Sequence, residues 1–65
     1  MLIKYFIERH LESRAECAKL LGVSINHLNN LIYYKRKIKR LDNGDWVLLT
    51  NQSKIIKSEN VKWLN

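Results

Sequence analysis

Apolar residues in the first part of the chain recur at helical spacing. Leu2, Ile3, Phe6, Ile7 and Leu11 are separated mostly by three or four positions, which places them on one stripe of a helix. The charged residues of this segment lie largely off that stripe. The pattern therefore predicts a first helix over residues 2–11.

A second helix is predicted from its terminal residues. Ser13 and Glu16 have the spacing of a capping box, in which the serine hydroxyl accepts a bond from the Glu16 N–H and the glutamate side chain reaches back to the Ser13 N–H. The helix is expected to begin at Arg14 and to end at Gly22, because glycine accepts the left-handed conformation found at helix ends. Ser24 is then suited to cap a third helix.

The third helix is predicted to bury one face and expose the other. Its apolar positions form one stripe: Ile25, Leu28, Leu31 and Ile32. Its polar and aromatic positions fall opposite that stripe: Asn26, His27, Asn30 and Tyr34. Such a helix has an exposed face available for binding.

The pattern changes from helical to strand-like after residue 37. Asn43-Gly44 is a strong hairpin signal, and it predicts strands at 38–41 and 46–50. A second turn at 51–53 and a third short strand at 54–57 follow. Segment 58–65 is ambiguous, and in one interpretation Ser58 caps a last helical turn that buries Val61 together with Leu64 or Trp63. The predicted fold class is α+β: a three-helix unit containing a helix-turn-helix, then a short β-hairpin or three-stranded meander.

Composition and charge narrow the functional class. The chain has 65 residues, 46% of them apolar, which predicts one globular domain over residues 1–65. Twelve Lys and Arg against six Asp and Glu give a net charge of +6, which favours a polyanionic partner. The longest apolar run, 46–49, is too short to span a membrane, and no signal peptide is recognisable, so a cytoplasmic protein without a membrane partner is expected.

Candidate chemistry is sparse. Cys17 is the only cysteine, so no disulfide within the chain is possible, and it is read as a small core residue. Together with His10 and His27 it does not show the paired spacing of a zinc site. No metal, cofactor, catalytic residue or small-molecule substrate is therefore expected. A chain this short rarely builds a large core alone, which raises the expectation of self-association.

Residues 14–33 resemble the helix-turn-helix motif of small Cro-type regulators from phages and bacteria. The matching positions are a small residue inside the first helix, a glycine at the turn with apolar neighbours, and two apolar anchors three apart in the second helix: Ala18, Gly22, Leu21, Val23, Leu28 and Leu31. The resemblance implies that the second helix enters the DNA major groove and that two copies bind as a dimer. Arg14 stands where the family often has glutamine, so a phosphate contact is expected there rather than the base contact of glutamine.

The predicted DNA-binding residues combine base readers with phosphate-binding cations. They are Arg14, Ser24, Asn26, His27, Asn30, Tyr34, Lys35, Arg36, Lys37, Lys39 and Arg40. Asparagine can pair with adenine through two bonds, so Asn26 and Asn30 are the expected base readers. The basic run at 35–40 is expected to contact phosphates. Of Tyr33 and Tyr34, one is expected to reach a phosphate and the other to pack on Trp46 or Phe6.

The favoured function is a sequence-specific transcriptional regulator of double-stranded DNA, a repressor, that inserts helix 24–35 into the major groove as a homodimer. Its dimer interface is expected on segment 46–56. An alternative is an excisionase-like recombination factor that uses hairpin 38–46 as a wing. A second alternative is a protein-interaction module such as an antitoxin or anti-repressor, and an enzyme is not expected.

Overall fold

Three helices precede a small antiparallel sheet in the computed structural model, which describes residues 1–61. The elements are α1 (Ile3–His10), α2 (Arg14–Leu21), α3 (Ile25–Tyr33), β1 (Ile38–Arg40), β2 (Trp46–Leu48), β3 (Ile55–Ile56) and a 3₁₀ turn (Ser58–Asn60). The strands are ordered β1-β2-β3. The predicted α+β class is confirmed, with the three-stranded meander. The prediction that Trp63 or Leu64 is buried lies outside the described residues.

The start of α2 differs in one bond from the predicted capping box. The Ser13 hydroxyl accepts from the Glu16 N–H at 3.2 Å, as expected. The Glu16 carboxylate, however, accepts from the N–H of Glu12 at 2.9 Å rather than from Ser13. Because α1 has already ended, the Glu12 N–H has no carbonyl of that helix to bond, and the carboxylate satisfies it instead.

The turn between α2 and α3 follows from Gly22. Its φ of 70° is left-handed, and two backbone bonds close the helix end: Gly22 N–H to the Lys19 carbonyl at 3.2 Å and Val23 N–H to the Ala18 carbonyl at 3.0 Å. Ala18 is buried where α2 and α3 pack. The glycine allows the sharp turn between the two helices, and the small alanine allows their close packing.

The end of α3 repeats this geometry with a lysine in the glycine position. Lys35 has a φ of 55°, which is uncommon for a residue with a side chain. Its N–H bonds the Ile32 carbonyl at 3.1 Å, and the Arg36 N–H bonds the Leu31 carbonyl at 3.0 Å. The chain leaves α3 sharply at this point and enters β1 three residues later.

The N-terminal residues extend the sheet beyond β1. Leu2 forms an antiparallel bridge with Lys37, and the Ile38 N–H donates to the Met1 carbonyl at 2.8 Å. A single bridge has no hydrophobic period, so the sequence pattern does not predict this pairing. It covers the outer edge of β1 and ties the chain start to the residues that follow α3.

The connection between β1 and β2 is a three-residue loop. Asn43 and Gly44 were expected to mark a tight turn between these strands, and the Leu41 N–H bonds the Asp45 carbonyl at 2.7 Å and encloses residues 42–44. Gly44 takes a φ of 91°, and the Asn43 side chain accepts from the Asp45 N–H at 3.0 Å. This is the hairpin class in which glycine supplies a left-handed residue after the turn.

Asp45 joins the hairpin to the 3₁₀ turn. Its carboxylate accepts from the Ser58 N–H at 2.8 Å and lies 3.7 Å from the Lys57 ammonium group. The hydrogen bond from Ser58 lowers the pKa of this carboxyl from its ordinary value, and the positive charge of Lys57 adds to the effect. Ser58 is therefore held by an aspartate and does not itself cap a helix.

The core lies between the helices and the inner face of the sheet. All three helices and all three strands contribute to the most deeply buried side chains: Ile3, Phe6, Cys17, Leu28, Ile38, Leu48 and Ile56. His10 is also buried, 5.2 Å from the Phe6 ring and 5.3 Å from the Trp46 ring. Cys17 is the small core residue that was predicted.

Ile25 does not belong to the buried stripe of α3. It is 44% exposed, whereas Leu28 and Leu31 are buried and Ile32 is half-buried against the core. Helical geometry places Ile25 about 60° from Leu28 but about 120° from Leu31, so it falls at the margin of the stripe. The prediction for this residue was wrong because a spacing of three alone does not locate the centre of a buried face.

Candidate nucleic-acid interface

The exposed face of α3 is polar and aromatic. Successive residues turn by about 100°, so Asn26, Asn30 and Tyr33 share the line opposite Leu28 and Leu31. All three are exposed, and Tyr33 has 76% of its surface accessible. The centre of this face therefore offers two amides and one phenol. Tyr33 was considered in the sequence analysis only as an alternative to Tyr34 for a phosphate contact, although the helical period alone places it on this face.

One flank of this face is formed by α2. The Arg14 guanidinium, at the first residue of α2, donates to the Asn29 side-chain oxygen on α3 at 3.0 Å. Both residues are exposed. The bond fixes a positive charge beside the exposed face of α3, where Arg14 was predicted to act. Since a guanidinium carries five donors, the bond to Asn29 leaves others for a phosphate.

The start of α3 is capped by Ser24. Its hydroxyl accepts from the His27 N–H at 3.1 Å and retains its own O–H as a donor. His27 lies about 100° from Asn26 around the helix, on the flank opposite Asn29. There it borders a cleft that it shares with Arg36. Ser24, His27 and Arg36 thus lie around the same helix as the two asparagines.

The basic run at 35–40 is distributed over different surfaces. Lys35 borders a groove beside Tyr5 and Tyr33 at the end of α3. Lys39 pairs with Val47, and its side chain belongs to the outer face of the sheet because alternate strand residues point to opposite sides. Arg40 borders a small cavity with His10 at the end of α1. Lys39 and Arg40 are therefore not grouped with the exposed face of α3.

Lys37 lies where the chain enters β1. It is exposed, and its backbone pairs with the N-terminal segment. The structure thus places it next to the end of α3, while the residues after it diverge over the sheet.

The two tyrosines at the end of α3 contact each other rather than the core. Their rings meet edge to face, with centroids 5.2 Å apart, and Tyr34 is 66% exposed. The expectation that one of them packs on Phe6 or Trp46 was wrong. Those two rings are already packed on each other at 4.8 Å, with His10 beside both. The phenol groups of Tyr33 and Tyr34 are left on the surface.

Charge is distributed unevenly along the chain. Residues 17–41 contain six Lys and Arg and no Asp or Glu. In the part of the chain that the structure describes, the one ion pair joins Lys57 to Asp45, and neither residue belongs to this segment. Within residues 1–61, the positive charges around α3 therefore form no ion pair with a carboxylate, and such a surface attracts phosphates.

A cleft of about 270 Å³ separates α3 from the turn between β2 and β3. Its wall on the turn side carries Asn51, Gln52 and Lys54, and none of these was among the predicted site residues. The sequence pattern gives no signal for this arrangement, because it depends on two segments about 25 positions apart coming together.

Other chemistry has little support in the described residues. Within residues 1–61, no three His, Cys, Asp or Glu side chains come close enough to hold a metal ion. Burial, with the negative charge of Glu16, raises the pKa of the Cys17 thiol to about 12, so this thiol is a poor nucleophile at neutral pH.

None of the helices in the described part is long and apolar enough to cross a bilayer.

Comparison with known proteins gives no assignment. No protein-family model matches the chain, and no curated protein or solved structure matches it either.

Proposed function

We propose that this protein binds double-stranded DNA sequence-specifically by placing α3 in the major groove. The observation that carries the proposal is the exposed face of α3, where Asn26, Asn30 and Tyr33 project from the helix. The cations around that helix form no ion pair with any of the described residues. An α-helix fits the major groove, and asparagine amides match the donor and acceptor pattern of adenine there. The resemblance of residues 14–33 to the Cro-type motif supports the same assignment.

Base reading and phosphate binding are divided among different side chains. Asn26 and Asn30 read base edges from the centre of the exposed face. Arg14 and Arg36, on opposite flanks of α3, bind the phosphates on either side of the groove. Phosphate contacts position the helix and supply affinity, whereas base contacts supply sequence preference.

Two copies act together on one site. A Cro-type regulator reads two half-sites, and the two recognition helices must then lie about 34 Å apart, one turn of B-DNA. Leu49 and Ile55 are each about half exposed on segment 46–56, which supplies an apolar surface for the two-fold contact. Such a dimer would repress transcription by occupying its operator. Sedimentation that shows a monomer both free and on DNA would remove this part of the proposal.

The proposal is tested with two variants on two DNAs. Asn26→Ala should weaken binding to a selected site by roughly 1–3 kcal/mol and leave binding to random DNA nearly unchanged. Arg36→Gln should weaken both and lower the slope of log K against log salt by about one. Asn60→Ala, a change of the same type on the 3₁₀ turn, is the matched control and should alter neither.

The salt dependence of the unchanged protein decides between DNA and protein partners. Several phosphate contacts should make the affinity fall by orders of magnitude from low to moderate salt. A flat salt response would refute DNA binding and favour the protein-interaction alternative. Direct-repeat footprints accompanied by DNA bending, rather than one palindromic site, would favour the excisionase-like alternative.

A further inference from the structure

The cleft beside α3 combines cations with an apolar floor. Leu31 and Leu48, both buried, form part of the floor. Three basic side chains from separate segments border it: His27 in the first turn of α3, Arg36 after α3, and Lys54 just before β3. Arg36 and Lys54 carry positive charges that attract an anion, and the apolar floor suits a sugar ring.

The turn between β2 and β3 forms the far wall, and local bonds fix its shape. The Thr50 hydroxyl accepts from the Gln52 N–H at 3.3 Å, and the Thr50 carbonyl accepts from the Ser53 N–H at 3.2 Å. The Leu48 N–H bonds the Lys54 carbonyl at 2.7 Å, which closes the turn. The Gln52 side chain remains exposed beside the cleft, so its amide is available as a donor.

The other turn of the sheet is unsuited to the same task. The tip between β1 and β2 carries Asp42 and Asp45, whose charges repel phosphates. Gly44 at that tip borders a cavity with His10, at the end of α1 rather than beside α3. The β2–β3 turn, by contrast, has no acidic residue from 46 to 58. Charge and position therefore both favour the β2–β3 turn as the DNA contact. They disfavour the β1–β2 hairpin, which the sequence analysis gave as the wing of the excisionase-like alternative.

We propose that the cleft holds a phosphodiester of the DNA strand bordering the major groove entered by α3, with Lys54 and Gln52 as its contacts on the sheet. This inference rests on the proposed DNA binding. The ligand is a backbone phosphate rather than an enclosed small molecule, because the cleft of about 270 Å³ falls below the 300–1,000 Å³ usual for pockets that enclose a ligand. Its rim residues Asn51 and Gln52 are also exposed.

The test compares two lysines at either end of β3. Lys54→Gln removes the cation at the cleft, and Lys57→Gln removes an equal charge whose partner is Asp45, at the opposite end of the β2–β3 pair. On duplex DNA, Lys54→Gln should reduce affinity by roughly tenfold at low salt and lower the salt slope by about one, while Lys57→Gln should have a much smaller effect. Circular dichroism checks that both variants stay folded.

Phosphate ethylation interference locates the contact. With the unchanged protein, ethylation of a phosphate outside the bases read by α3 should block binding, and Lys54→Gln should lose that sensitivity at one position per half-site. Equal DNA binding by the two lysine variants would overturn the inference while leaving the proposed function intact. If the unchanged protein does not bind DNA, both the inference and the proposed function fail.

Free inorganic phosphate has the same chemistry as a DNA phosphodiester and is the alternative occupant of the cleft. Inorganic phosphate is titrated into the protein while the His27 resonances are followed by NMR. Saturable binding that depends on Lys54, without any effect of Lys54→Gln on DNA affinity, would overturn the DNA-backbone assignment. Weak, non-saturating shifts together with the DNA effect would support it.

Discussion

Substitution of Lys35 by glycine should change the stability of the fold and the affinity for DNA in opposite directions. It ends α3 with a left-handed φ of 55°, in the position that Gly22 occupies at the end of α2. No ion pair or hydrogen bond of its side chain occurs among the described residues, and its ammonium group is exposed at the end of the proposed recognition helix. The side chain thus contributes charge at the surface, while its Cβ destabilises the backbone conformation.

The expected magnitude follows from the backbone. A left-handed conformation costs an L-residue roughly 1–2 kcal/mol, and glycine avoids that cost. Glycine also loses more backbone entropy on folding, which offsets about 0.5–1 kcal/mol of the gain. Lys35→Gly should therefore stabilise the fold by about 0.5–1 kcal/mol. For a domain of this size, a change of 1 kcal/mol moves the melting temperature by about 4–8 °C, so the shift is measurable.

The assay pairs thermal melting with DNA titration for two variants. Lys35→Gly should melt at a higher temperature than the unchanged protein, whereas Lys35→Ala keeps the Cβ and should not. Both remove the charge, so both should bind DNA more weakly and lower the salt slope by about one. The paired variants thereby separate the backbone effect from the loss of the ammonium group.

Two results would refute this reasoning. Equal melting temperatures for Lys35→Gly and Lys35→Ala would mean that the left-handed residue does not limit stability. An increase in DNA affinity alongside the increase in stability would mean that the Lys35 charge does not face the phosphates.

Three further predictions concern the core and the hairpin. Ala18→Glu should unfold the protein by burying a charge between α2 and α3, and Ala15→Glu, on the exposed side of α2, should melt nearly normally in the same calorimetric scan. Cys17 should resist alkylation at pH 8, because its thiol is held neutral in the fold. For the same reason the free energy of unfolding should fall as the pH rises from about 9 to about 12. A Cys17→Ala variant that loses stability just as steeply over this range would contradict the prediction. The pKa of Asp45 is lowered mainly by the hydrogen bond it accepts from the Ser58 N–H, so this carboxylate stabilises the fold at neutral pH and ceases to do so as the pH falls below 3.8. Urea titrations should show this acid-induced loss of stability in the unchanged protein and in Asp42→Asn, but not in Asp45→Asn.

Local signals in the sequence determined the helical half of the molecule. Ser13 and Ser24 cap the two helices that they were expected to cap, and Gly22 adopts the left-handed turn between them. These features depend on residues within four positions of one another, so short-range steric and hydrogen-bonding preferences are enough to predict them. Asn43-Gly44 likewise indicated the strand that follows it, in which Trp46 and Leu48 are buried on one face.

Only the tertiary structure decided which surfaces surround α3. The basic run was one continuous patch in sequence, yet a left-handed turn at Lys35 and the alternation of strand side chains send Lys39 and Arg40 to different sides. The β2–β3 turn came next to His27 although nothing in its own residues marks it as part of a binding surface. Packing between distant segments sets such neighbours, because burying the shared core fixes how the sheet is oriented on the helices, and no local period encodes that orientation.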